Sequence, residues 1–183
     1  TNANFINCGN ANSSDSWTNM TVECWVKHDH LGRHGSESTY FSRGSNSSPK
    51  FGCKDNGHLR VYFGSGQQLE GNTVMVINKW YHVAMSYNNT SGVTKVYVDG
   101  KLDAQDTLTA SGLTADVAVS CIGAQATGNR HLDGQMGRIS AWDHELTEAE
   151  IRAMMFYDWD ALQADDTNFP DALRDDCVFF YQF

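Results

Sequence analysis

The sequence predicts an all-β fold, a sandwich or barrel of many short strands with one helix near its end. Three observations predict it. Apolar and polar residues alternate with period two in a succession of short runs up to position 146. Turn residues separate the runs, and Asp55-Asn56-Gly57 and Asp99-Gly100 are hairpin signals. Only 2 of the 183 residues are prolines, so little bars these runs from pairing in ladders.

The candidate strands, in order, are 3–8, 20–28, 38–43, 50–54, 58–63, 73–77, 80–87, 94–98, 102–109, 117–122 and 135–142. On the seventh, Val83 and Met85 face one way and His82, Ala84 and Ser86 the other. On the eighth, Val96 and Val98 oppose Lys95 and Tyr97, and Asp99-Gly100 then turns the chain. Asn88-Asn89-Thr90-Ser91-Gly92 is a polar tip between these two strands. Thr147 and Glu150 form a capping box, and Ile151, Met154 and Met155 share one face of the helix it opens, which runs to about Tyr157. The acidic stretch 158–176 reads as an irregular, solvated linker, with its carboxylates available to a metal or a basic partner. A strand returns at 177–183, apolar enough to require cover, and the N-terminal strand is its expected neighbour because domain ends commonly meet. Trp80, Trp142 and His82 are expected in the core. No repeat of 20–50 residues is visible.

Composition narrows the function. The length fits one domain, and a hydrophobic fraction of 40% supplies a sizeable core. Lys+Arg 13 against Asp+Glu 22 gives a net charge of -9, which excludes nucleic-acid binding without a basic patch. No apolar run is long enough for a helical membrane span. The chain begins at Thr1 rather than Met, which points to a removed leader or an excised piece. Cys8, Cys24, Cys53, Cys121 and Cys177 contain no C-x-x-C pair, so a zinc or redox site is a poor reading and disulfides are the better one, with at least one cysteine left over. Asn12, Asn19, Asn46, Asn88 and Asn89 are glycosylation acceptors. Together these features favour an extracellular location or a virion surface.

Three stretches carry a family resemblance. The first is Trp80-Tyr81-His82-Val83-Ala84-Met85-Ser86-Tyr87 followed by Lys95-Val96-Tyr97-Val98-Asp99-Gly100-Lys101-Leu102. The second is Ile122-Gly123-Ala124, then Leu132-Asp133-Gly134-Gln135-Met136-Gly137-Arg138-Ile139-Ser140-Ala141-Trp142-Asp143 and Leu146-Thr147-Glu148-Ala149-Glu150-Ile151. The third is Thr21-Val22-Glu23-Cys24-Trp25-Val26-Lys27. In order and spacing they resemble laminin-G-like and pentraxin domains along nearly the whole chain. The resemblance implies a single concanavalin A-like jelly-roll sandwich of two antiparallel sheets, with one short helix near 147–157.

Departures from the family pattern matter too. Pentraxins carry calcium on a long acidic loop after the Ile122-Gly123 position. Here that stretch is Gln125-Ala126-Thr127-Gly128-Asn129-Arg130-His131, short and without a carboxylate. The pentraxin disulfide would need a cysteine at Ala84, and an acidic ligand of related domains falls at Gly137. At most one calcium ion is expected, with Asn10 and Asp133 as its candidate ligands.

Related sandwiches include glycoside hydrolases, which set two carboxylates on one strand face. No such run occurs: Glu23 stands alone in its strand, Asp103 and Asp106 point to opposite sides, and Glu145, Glu148 and Glu150 serve the helix start. No G-x-S-x-G, H-E-x-x-H or P-loop is present. A binding face has better support. His58, Arg60 and Tyr62 form a polar stripe opposite Leu59, Val61 and Phe63, and Lys95 with Tyr97 forms a similar face. An aromatic ring can pack against a pyranose while Arg or His bonds its hydroxyls. The resulting expectation is a non-catalytic extracellular recognition domain for glycans or glycoproteins. The alternative is a structural subunit of a virion surface or extracellular fibre that binds copies of itself; a glycoside hydrolase is less favoured.

Overall fold

A computed structural model describes residues 5–9, 17–32, 37–44, 49–64, 66–108, 120–125 and 129–183. Among these described residues there are twelve strands: β1 (Ile6–Asn7), β2 (Asn19–His28), β3 (Glu37–Arg43), β4 (Lys50–Lys54), β5 (His58–Tyr62), β6 (Gln68–Val74), β7 (Trp80–Asn88), β8 (Val93–Val98), β9 (Lys101–Thr107), β10 (Ser120–Ile122), β11 (Gly134–Trp142) and β12 (Cys177–Tyr181). Sheet A runs β1-β10-β3-β4-β5-β6 and sheet B runs β12-β11-β2-β7-β8-β9. Every pairing is antiparallel. The result is a jelly-roll sandwich.

Period-two alternation decides which side chains fill it. Val22, Cys24 and Val26 of β2, Val83 and Met85 of β7 and Val96 of β8 meet Phe41, Phe51, Leu59 and Val61 of sheet A in the main core. The opposite side chains of sheet B are buried as well. Ala84 and Tyr97 pack in a second cluster with Trp142, Leu146, Ile151, Met154, Leu162, Phe169 and Leu173, under a helical layer. That layer comprises α1 (Glu148–Met154), α2 (Trp159–Ala164) and α3 (Asp171–Arg174). Sheet B is therefore covered on both faces, whereas charged and polar side chains cover the outer face of sheet A.

The helical layer corrects the expectation of one helix followed by a solvated linker. Thr147 and Glu150 do form the capping box that opens α1. Beyond it, Asp158 caps α2 by accepting from the Ala161 N–H at 2.8 Å, and Asp165 accepts from the Thr167 and Asn168 N–H groups at 3.1 and 3.0 Å. Leu162, Phe169 and Leu173 bury against sheet B and hold the segment down. Arg174 ties its turns together by donating to the Phe169 carbonyl at 2.6 Å.

The C-terminal strand also departs from expectation. β12 pairs with β11 at the edge of sheet B, whereas β1 pairs with β10 in sheet A. Its two faces have different partners: Phe179 packs on the main core and Phe180 on the second. The strand expected at 73–77 lies earlier, as β6, because Val76 and Ile77 belong to the turn before β7, where Asn78 adopts φ 63°. Trp80, expected in the core, is 40% exposed, with the Lys27 ammonium 5.7 Å from its ring centroid. Trp142 and His82 are buried as expected.

Candidate functional site

The outer face of sheet A gathers the stripe seen in the sequence with residues from three other elements. On β5, Leu59 and Val61 enter the core, so His58, Arg60 and Tyr62 project outward. On β4, Phe51 and Cys53 enter the core, so Lys50, Gly52 and Lys54 lie on the outer side. Gly52 pairs with Arg60 on one flank and Thr39 on the other. It adds no side chain to the face, and a Cβ there would stand 2.1 Å from the Ser38 carbonyl oxygen. Arg60 can therefore cross β4 and reach Glu37 on β3.

Glu37 is the hub of this face. Arg60 Nη1 donates to its Oε2 at 2.6 Å, Lys50 Nζ lies 3.6 Å from its Oε1, and Arg130 Nη1 also donates to Oε1. The other Arg60 terminus donates from Nη2 to Gln68 Oε1 at 2.6 Å. Two cations stand over the Tyr62 ring, with Lys50 Nζ 4.6 Å and Arg60 Cζ 4.9 Å from its centroid. Beside this group, Lys54 Nζ meets Glu70 at 2.8 Å and His58 Nδ1 donates to the Gly71 carbonyl at 2.8 Å. Burial alone would raise the Glu37 carboxyl pKa, but Arg130, Lys50 and Arg60 outweigh it and hold it below the usual carboxylate range. Burial lowers the Lys50 ammonium pKa, with Glu37 opposing.

Glu37, Lys50, Gln68 and Arg130 were not singled out from the sequence. Lys50 and Lys54 could have been, because they alternate with Phe51 and Cys53. Glu37 and Arg130 meet across 93 positions of sequence, and no local pattern announces that.

The second expected face does not form with the first. Lys95 and Tyr97 lie on β8 in sheet B. Tyr97 is 2% exposed beneath the helical layer, and Lys95 Nζ is bound to Glu145 at 2.7 Å. A cleft of about 480 Å³ at this place is lined by both, with Gln105, Glu145, Thr147 and Glu148 among its walls. Period-two alternation put Tyr97 on the right side of the sheet but could not show that helices cover that side.

A profile of the concanavalin A-like lectin/glucanase superfamily, in its laminin-G branch, matches residues 2–152. The chain belongs to this superfamily. A Rattus norvegicus protein with sushi, von Willebrand factor type A, EGF and pentraxin domains is 20% identical over 147 residues, covering 74% of this chain and 4% of that protein. The chain thus spans a small part of this curated relative. A candidate carbohydrate-binding protein from Bacteroides ovatus superposes with a TM-score of 0.70 at 21% identity, over 92% of this chain and 46% of that one. The CBM40 module of a Ruminococcus gnavus sialidase, solved with α2,3-sialyllactose, superposes with a TM-score of 0.65 at 12% identity, over 83% of this chain and 91% of that one. These structural likenesses show the superfamily fold.

Where pentraxins place acidic calcium ligands, this chain brings Arg130 to Glu37, and the Arg130 carbonyl accepts from the Thr39 N–H at 2.9 Å. Arg130 thus brings a cation, not an oxygen ligand, to the described part of this stretch. Of the two calcium candidates, Asn10 lies outside the described residues. Asp133 Oδ2 is 3.2 Å from His30 Nδ1, and its carbonyl accepts from the Asp29 and His30 N–H groups. Among the described residues, no group of three or more His, Cys, Asp or Glu side chains is placed to hold a metal.

The other sequence candidates are also located. Glu23, isolated in the sequence, is sealed under the helical layer, where it receives His82, Arg138 and Ser140. All five cysteines are free thiols rather than disulfides. Cys24 and Cys53 fill the main core, and burial pushes the Cys53 and Cys177 thiols up to about 12. Among the glycosylation acceptors, Asn12 and Asn46 lie outside the described residues. Asn19 opens β2, with its Oδ1 accepting from the Asn89 N–H at 3.3 Å, and Asn88 ends β7 with Asn89 following it at the tip.

Proposed function

We propose that this domain is a non-catalytic recognition module that holds carbohydrate on the outer face of sheet A. The observation that carries the reading is Tyr62: a half-buried ring on the sheet face opposite the core of sheet A, which the described helices do not cover, flanked by Arg60, Lys50 and Gln68. A ring of this kind packs the apolar side of a pyranose, and the neighbouring N–H and amide groups match its hydroxyls. The carbohydrate modules that share the fold support it.

The two carboxylates of this face suit binding better than hydrolysis. A glycosidase acid needs a raised pKa, whereas Glu37 is held low by three cations, and Glu70 is paired with Lys54. The domain acts outside the cell or on a virion surface, in keeping with its five glycosylation acceptors. Any calcium is limited to one ion near Asp133.

A glycan array followed by amide-shift mapping tests the reading. The retained glycan should perturb residues of β4, β5 and β6 together. Perturbation confined to the Lys95 cleft, or an array with no retained glycan, would refute it.

Self-assembly keeps support from one feature. The edge strand β12 leaves Val178 and Tyr181 exposed, with Phe183 65% exposed just beyond it. Light scattering of the native protein decides this: copies joined through that edge would appear as a dimer or larger species that Tyr181→Lys disperses.

A further inference from the structure

We infer that the ligand of the Tyr62 face is an anionic sugar, one carrying a carboxylate or a sulfate, and that Lys50, Arg60 and Arg130 form its charge-binding corner. The inference rests on the proposed carbohydrate face and specifies its ligand.

The local charge runs against that of the molecule. The chain as a whole carries -9, yet on this face, among the described residues, Lys50, Lys54, Arg60 and Arg130 stand against Glu37 and Glu70. Lys54 and Glu70 satisfy each other. Three cations then share the carboxylate of Glu37, which among the described residues leaves an excess of two positive charges.

Lys50 makes the imbalance costly. Its side chain is only 9% exposed, and its Glu37 contact is long at 3.6 Å. A desolvated ammonium whose described carboxylate partner stands 3.6 Å away is an unfavourable arrangement for a scaffold. It is a suitable one for a site that receives an anion, because the ligand then supplies the missing charge. The Tyr62 ring lies 4.6 Å from that ammonium, so one sugar can stack on the ring while its anionic group meets Lys50. Arg130 is more open, with a side chain 34% exposed, and can turn part of its guanidinium to the same group. Arg60 and Gln68 are joined to each other and define the far wall.

Matched oligosaccharides isolate the charge. Trigalacturonate and its trimethyl ester share rings and hydroxyls and differ in the carboxylates; a heparin-derived tetrasaccharide and its desulfated form do the same for sulfate. Calorimetry on the intact domain should show at least tenfold tighter binding of the charged member of one pair. That preference should shrink as salt is raised from 50 to 300 mM. Lys50→Met, which keeps the buried volume, and Arg130→Gln, at a more exposed position, should each cut the preference at least threefold. Whichever pair shows the effect identifies carboxylate or sulfate as the anion. If the neutral members bind as tightly as the charged ones, the anionic inference falls and the carbohydrate face stands. If no member of either pair binds and no array glycan is retained, both fall.

Discussion

His82 Nε2 donates to Glu23 Oε2 at 2.7 Å, with both side chains fully sealed from solvent. Arg138 reaches the same carboxylate from Nη2 at 3.1 Å and Nε at 3.3 Å, and Ser140 Oγ donates to it at 2.5 Å while accepting from Trp142 Nε1 at 2.9 Å. Arg138 also donates to the carbonyls of Met154 and Tyr157 at the end of α1. One buried carboxylate thus joins β2, β7 and β11 to the helical layer. Burial would raise its pKa, but His82 and Arg138 overcome this and hold it lowered.

Breaking this centre leaves a buried guanidinium unpaired. Glu23→Ala should cost about 3–5 kcal/mol, the scale for removing one partner of a buried pair. The drop is read from urea unfolding by circular dichroism. A loss below about 1 kcal/mol would show that the network contributes little.

Acid should weaken the fold through His28. Burial pushes this imidazole down to about 4 from an ordinary 6.5, against smaller opposing effects of the His30 backbone, Asp29 and Asp133. The folded state therefore binds the proton less readily than the unfolded chain. The stability linked to His28 is fully present above pH 6.5 and is lost as pH falls toward 4. Between pH 7.5 and pH 5 the loss should be about 2 kcal/mol. His28→Gln, which can keep the contact with the Tyr40 hydroxyl, should flatten the profile over that interval. An equally steep profile in the variant would place the acid sensitivity elsewhere.

Glycosylation at the β7–β8 tip should select Asn89 over Asn88. The Asn88 Nδ2 donates to Glu145 at 2.8 Å and its Oδ1 accepts from the Thr90 and Ser91 N–H groups, so that amide is committed to the turn. Asn89 is exposed, where a bulky group costs little. Peptide mapping of protein from a glycosylating eukaryotic host should find glycan on Asn89. Glycan on Asn88 with Asn89 bare, or both bare, would contradict this.

Much of the fold was legible because sheets write their geometry into alternate residues. β4 has the bounds expected of it, and the Asp99-Gly100 turn with Arg60 and Tyr62 facing outward follows from the same pattern. The helical layer was hidden because its buried anchors, Leu162, Phe169 and Leu173, are sparse and set among acidic residues that act as caps. That miss carried another with it. Tyr97 looked like a surface residue because nothing local reports what lies above a sheet. The hub of the candidate site was hidden differently: Glu37, Arg60 and Arg130 come together only through strand order and the bare position at Gly52.

If the outer face of sheet A holds carbohydrate against Tyr62, loss of that ring must weaken binding. Titration of the glycan retained on the array against the parent domain and Tyr62→Ala tests it most directly. The expected loss is about 1–2 kcal/mol, or roughly five- to thirtyfold in Kd, the scale of a lost aromatic contact. The urea midpoint should stay unchanged, because Tyr62 lies outside the main core. Equal affinity in the two proteins would contradict the claim.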